Sequence, residues 1–256
     1  MRQIWVLAQN TIKALVRKKD FYVFLMMLCV LFVFLLSENF FGVREVSRYI
    51  KDIGFFCLWL FSFIIATIFS AKQLPEELES KAVFSLLAKP VARAHLLVGR
   101  FLGSLSAASL AYTIFYLLYV GISFLKGEGI SPALLIQAYI LGICFLSVVC
   151  AISILLTVYL TLSAAITLSF IIYFAIAWFA DRFRDIVISS KGLSAWLLNI
   201  AYYLIPHYEF YDMRIRLAHS WEPIPLRVLF AIVIYTMIYA SIVLYLSLFK
   251  FKKKIF

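Results

Sequence analysis

The sequence predicts an all-α, polytopic integral membrane protein with six transmembrane helices and an N-terminal amphipathic interfacial helix. Three observations carry this. Of 256 residues, 65% are hydrophobic and only 14% charged, against about 25% charged in a soluble domain. The apolar residues fall into runs near the ~20 residues needed to cross a bilayer. The basic residues gather on one side of those runs.

Residues 3–19 make the amphipathic helix. At 100° per residue Ile4, Trp5, Ala8, Ile12, Leu15 and Val16 share one face, while Arg2, Gln9, Lys13 and Arg17 share the other. A basic helix bearing tryptophan lies in the membrane interface. The first span, 21–37, follows Arg17, Lys18 and Lys19, as the apolar core of a secretory signal does. Residues 35–39 lack a small-residue cleavage site, so this span reads as retained. Spans follow over 54–71 and 101–125. No charge occurs between Glu128 and Asp181, which leaves room for spans at 132–156 and 162–180 with a turn near the hydroxyls of Thr157 to Ser163. Residues 181–225 form an extracytoplasmic segment. Its apolar part, 192–205, is too short to span and reads as re-entrant. The last span is 226–249, followed by a basic tail, 250–256.

Six spans put both termini on one side. That side, with the 74–98 loop, collects basic residues to a net charge of +10, leaving +1 of the total +11 on the other. By the positive-inside rule the termini and the loop are cytoplasmic. The net charge therefore needs no nucleic acid to explain it. Cys29, Cys57, Cys144 and Cys150 all fall in spans, where they read as small packing residues. Gly99, Gly103 and Ala107 form a row that lets helices approach closely, most simply within the chain.

The charged 74–98 loop is where such a protein meets a soluble partner. Pro75 suits the first turn of a short helix, and Glu76, Glu77 and Glu79 would then sit where the helix dipole favours acids. The run LPEELESKAVFSLLAKPVARAHLLVGRFLGSL resembles the first cytoplasmic loop of ABC-2-type permeases, the six-span membrane subunits of ABC exporters. Glu77, Glu79, Lys89, Pro90, Arg93, Gly99, Arg100 and Gly103 match the family's pattern, whereas Ser80-Lys81-Ala82 departs from it and leaves the subfamily open. The resemblance implies that the loop is a cytoplasmic coupling helix seated on a separate ABC ATPase. Glu76, Glu77, Glu79, Lys89 and Arg93 would make the contact, with Lys13, Arg17 and Lys18 of the N-terminal elbow helix close by. It also implies a second permease copy or homologue, and ATP and magnesium on the partner ATPase. This chain, lacking a phosphate-cradling Gly-x-x-x-x-Gly-Lys-Ser/Thr loop, binds no cofactor itself. The small, single-domain layout points to a prokaryotic inner membrane.

The same resemblance puts the translocation path along the second and fifth spans at the dimer seam, where Phe55, Trp59, Phe63, Tyr173 and Trp178 stand. Aromatic residues there would suit amphipathic cargo, although aromatics also occur throughout the chain. No ionisable group interrupts the predicted span cores, which argues against an ion-driven carrier. A membrane enzyme would have to use His207, Glu209, Asp212 and His219, whose spacing matches no familiar metal motif. Catalytic and metal-ligating residues are therefore both expected to be absent. A membrane scaffold that moves nothing is the other alternative.

Overall fold

The long apolar runs become long helices. The computed structural model describes residues 46–79, 93–125, 130–190 and 205–253, together with positions 9, 13, 22, 23, 26, 27, 30, 196, 198, 199 and 202. Within these lie α1 (Val46–Glu79), α2 (Arg93–Leu125), α3 (Pro132–Tyr159), α4 (Leu162–Ser189), a 3₁₀ turn (Tyr208–Tyr211), the short α5 (Arg214–Ala218) and α6 (Leu226–Lys253). Among the described residues five helices are long and apolar enough to cross a membrane. The chain is thus an all-α integral membrane protein. Most of the expected 21–37 span lies outside the described residues, although Tyr22, Val23, Met26, Met27 and Val30 are helical and exposed. Of the amphipathic helix Gln9 and Lys13 are described, both helical and exposed. Arg17, Lys18 and Lys89 lie outside the described residues.

The uncharged stretch divides where its hydroxyls suggest. Leu160 and Thr161 adopt extended backbone between α3 and α4, making a tight hairpin. Pro132 opens α3 in the first turn, the one helical position where its missing N–H costs nothing.

Pro75 behaves differently. Expected to begin a separate helix, it lies inside α1, which runs unbroken through Glu79. A proline there forfeits one backbone bond, to the Ala71 carbonyl. Its neighbours Lys72, Gln73, Leu74, Glu76, Glu77 and Leu78 are strong helix formers that carry the helix past it. The acids therefore stand at a helix C-terminus, where the dipole disfavours them, and the last turn holds no basic residue to offset them.

The helices alternate in direction. One end of the bundle carries Val46, Leu125, Pro132 and Leu226, and residues 205–225 cover it; this is the cap end. The other carries Glu79, Arg93, the Leu160 hairpin and Lys253. Two-thirds of the apolar windows of α1 and α3 is buried inside the chain, against 17% for α4 and 22% for α6. So α1 and α3 are central, and α4 and α6 turn most of their surface outward from the bundle.

Lipid tails are as apolar as leucine, so close fit and polar bonds must hold these helices together. On α2, Gly99, Gly103 and Ala107 are buried within the chain, as the packing explanation requires. Tyrosine hydroxyls add the polar part: Tyr112 donates to the Ala138 carbonyl at 3.2 Å and Tyr116 to the Leu135 carbonyl at 2.6 Å. Both bonds fasten α2 to the first turns of α3. Of the cysteines, Cys144 and Cys150 are buried and Cys57 half-buried, all as free thiols.

Gln137 makes a second clasp. Its amide donates to the Ile224 carbonyl at 2.7 Å and accepts the Ile224 N–H at 2.8 Å, fixing the cap to α3 just before α6 begins. Gln137→Leu removes both bonds. Because Ile224 is only partly buried, water can take up part of the loss, and the expected cost is about 1–2 kcal/mol. Denaturant titration in mixed micelles measures it; an unchanged midpoint would show that the clasp contributes nothing.

Candidate functional site

Four of the five aromatic residues expected to line a path come together, but inside one chain. Phe55, Trp59, Phe63 and Tyr173 are each less than a tenth exposed. Trp59 stacks on Phe145 with ring centroids 4.0 Å apart, and Phe63 stacks on Tyr173 at 4.3 Å. Phe55 stands edge-on to Tyr119 at 5.6 Å. Their spacing on α1 (55, 59, 63) puts them on one stripe of the helix, with Phe55 meeting α2, Trp59 meeting α3 and Phe63 meeting α3 and α4. Within the single chain the four are buried together in its core. Trp178, 77% exposed on α4, is the fifth and stands apart on the surface.

The sequence reading missed the residues that close this cluster. Phe145 sits at its centre on α3. Tyr208 and Tyr211, from the 3₁₀ turn of the cap, reach Phe145 at 5.4 and 6.3 Å. Tyr211 also shares a hydrogen bond with Thr236 of α6 at 2.9 Å, and Tyr208 meets Tyr173 at 5.6 Å. Phe145 lies eight residues beyond Gln137, so the turn reaches ~12 Å below the Gln137–Ile224 clasp. The re-entrant part was expected at 192–205; of that stretch Trp196, Leu198, Asn199 and Tyr202 are described as helical, Ile205 as a bend, and the rest lies outside the described residues. The deep insertion among the described residues is at 208–213.

The polar residues of the cap pair locally. Asp212 accepts two bonds from Arg214 Nε at 3.0 and 2.9 Å and one from Nη2 at 2.6 Å, and also accepts the Arg214 backbone N–H at 2.9 Å. The guanidinium lies over Phe56 of α1, 5.4 Å from the ring centre. His219 Nδ1 lies 3.0 Å from the Ile215 carbonyl on its own helix. His207 is held by Tyr235, with Nδ1 and the hydroxyl 3.3 Å apart, between an edge-on Tyr202 and a stacked Phe210. His207, Asp212 and His219 thus each engage a different partner. Among the described residues no group of three or more His, Cys, Asp or Glu side chains could hold a metal ion.

Burial lowers the His207 pKa below its ordinary value, partly offset by a hydrogen bond to the Ile205 backbone. The neutral ring is thus favoured in the folded protein. As pH falls below about 6.5 the unfolded chain takes up its proton first. Stability is therefore full above that pH and declines as pH drops toward the lower folded value. Thermal unfolding of the detergent-solubilised protein between pH 7.5 and 5 should show this slope, and His207→Asn should flatten it. An identical slope in the variant would assign the loss to other groups.

At the opposite end, Glu76, Glu77 and Glu79 form the last turn of α1, Arg93 opens α2, and Arg100 is buried one turn or two further along α2. For the three acids and Arg93 the structure describes the backbone. Lys250 of α6 lies over the Tyr159 ring at 5.2 Å, binding the last helix to the end of α3. α1 is one continuous helix of 34 residues, ~51 Å long, with the aromatic stripe running to its middle and the acids at its C-terminal end. Compared with known proteins, the sequence matches no family model and no curated protein.

Proposed function

We propose that the chain is the membrane-spanning permease subunit of an ATP-driven exporter, with its Glu79 end in the cytoplasm and its cap outside. The ABC-2-type resemblance of residues 74–105 supports this reading. The observation that carries it is the continuity of α1 from Phe55 to Glu79. A displacement of the acidic turn is carried toward the aromatic cluster along the same helix, across the single position, Pro75, where one backbone bond is missing. The three carboxylates also stand at the wrong end of the helix dipole, each disfavoured by about 0.3–1 kcal/mol. A cationic cleft on a partner ATPase relieves that cost, which gives docking an electrostatic direction.

In this reading ATP and magnesium belong to the partner ATPase, and two permease subunits pair to form the path. The aromatic cluster beneath Tyr208 and Tyr211 is then a closed seal, opened when α1 moves against α3 and α4. Trp178, on the surface of α4, is the path candidate free to meet a second subunit.

The test is co-purification of the tagged chain with ABC ATPases of the same cell, beginning with any encoded in an adjacent reading frame, followed by ATP hydrolysis with and without the permease. The expected result is a stable complex that is lost when Glu77→Arg and Glu79→Arg are combined. Two reversed charges that leave the complex intact would remove the acidic turn from the interface. Failure of the unaltered chain to associate with any ATPase would favour a membrane scaffold instead.

A further inference from the structure

A cavity of about 180 Å³ opens between α4 and the cap. Ala175, Ile176 and Phe179 of α4 form one wall, and Ile205, Pro206 and His207 form the other. Phe183, one turn beyond Phe179, stacks against Tyr202 with the rings 17° from parallel, closing one end. Glu209 also borders the cavity, yet the surface that faces into it is almost wholly apolar. His207 cannot turn its polar edge freely into the cavity, because Nδ1 engages Tyr235 and its ring is flanked by Tyr202 and Phe210.

The position of the cavity on α4 identifies what lies beside it. The apolar window of this helix ends at Phe179, and Asp181, Arg182, Arg184 and Asp185 follow at once. That change marks the boundary of the hydrocarbon layer, so Ala175, Ile176 and Phe179 stand just inside it. Only 17% of the α4 window is buried by the rest of the chain, so most of its length faces outward from the bundle at bilayer depth. A dry cavity of about 150 Å³ is large enough to accept a benzene ring. One of this size therefore accepts a stretch of hydrocarbon chain but no folded polypeptide.

We propose that the cavity binds one acyl chain of a bilayer lipid from the leaflet on the cap side. The chain enters sideways from the membrane and lies between Ile176 and Pro206, under the Phe183–Tyr202 pair. Binding there braces the cap against α4, since both walls contact the same chain. His207 links this site to Tyr235 of α6, and Tyr208, the next residue, belongs to the aromatic seal. Occupancy therefore bears on how firmly the 205–213 segment is held. The assignment rests on the membrane location of α4 and on its 175–179 face staying open to lipid, so in the exporter reading the second subunit leaves this face uncovered.

The experiment uses the full chain in phosphatidylcholine nanodiscs doped with a small fraction of phosphatidylcholine carrying a diazirine in its acyl chain. After photolysis, labelled peptides are mapped by mass spectrometry. Label is expected to concentrate on 175–183 and 205–207, above the level on the lipid-facing residues Phe230 and Met237 of α6. Ile176→Trp, which fills the cavity, should reduce label at 205–207 about tenfold and leave α6 unchanged. Ala175→Leu intrudes from the same wall with less bulk and should act in the same direction, which keeps the test decisive if the tryptophan variant does not fold. Label spread evenly over all lipid-facing surfaces would show annular lipid only and overturn the proposal. So would label at 205–207 that persists undiminished in the folded variant.

Discussion

Gly142→Ala is expected to destabilise the protein by about 2–3 kcal/mol, at the upper end of what overpacking usually costs. A methyl group at this position would overlap the hydroxyl and ring of Tyr112. The far end of a side chain can often swing away cheaply, but this one cannot. Tyr112 is 1% exposed, lies beside the rings of Tyr116 and Tyr139 at 5.7 and 5.8 Å, and donates its hydroxyl to the Ala138 carbonyl. Moving it opens the α2–α3 contact and strands a hydroxyl in a layer without water, where no solvent replaces the lost bond. Denaturant titration in mixed micelles should show a clear loss for Gly142→Ala. Adding Tyr112→Leu to it should cost less than the two single changes summed, because the leucine leaves room for the methyl group. Strict additivity of the two would mean that the clash is relieved elsewhere, and that the α2–α3 contact is softer than its geometry indicates.

The same pair of helices shows what could be read from the residues and what could not. The existence of α3 and α4 followed from a long uncharged stretch, and their division at Leu160–Thr161 from a cluster of hydroxyls. Which face of α3 meets which neighbour did not follow. A helix apolar all round carries no amphipathic stripe to orient it, so Gly142 and Phe145 looked like any other residues of a span. The continuation of α1 past Pro75 was hidden for a different reason. Proline is a reliable punctuation mark only where the surrounding residues do not themselves favour a helix, and here they do. The acids were recognised as exceptional, yet their electrostatic setting was assigned to the wrong end of a helix. The cap was hardest to read. Tyr208 and Tyr211 lie in a stretch with glutamate, aspartate and arginine, which reads as solvated surface. Asp212 and Arg214 neutralise each other, and the turn between them and His207 can then descend into the bundle. The path candidates were named by their spans, without assigning Phe55, Trp59 and Phe63 to one face of α1. That this face points inward depends on Phe145 and on the cap, and neither was legible.

Phe145→Ala should produce the largest single loss of stability in the described part of the chain, about 3–4 kcal/mol. Its ring is 1% exposed and touches three separate parts of the fold: Trp59 and Phe63 of α1, Tyr173 of α4, and Tyr208 and Tyr211 of the cap. In water part of such a cost comes from transferring the ring out of solvent. Within a bilayer the unfolded helices still sit in lipid, so that part largely vanishes. What remains is the dispersion lost around the cavity, together with the aromatic geometry. With stacking and edge-on partners on several sides, this remainder is large. Ile136→Ala on the same helix is the internal control: it is 61% exposed, so its removal should cost less than about 0.5 kcal/mol. The comparison also separates two pictures of the aromatic cluster. If it is the keystone of the bundle, Phe145→Ala unfolds at much lower denaturant and Tyr211 becomes accessible to aqueous modification at once. If it is a loosely packed lining built to part, the two variants unfold together, and the cluster is held shut by the Asp212–Arg214 clasp over Phe56 and not by its own packing.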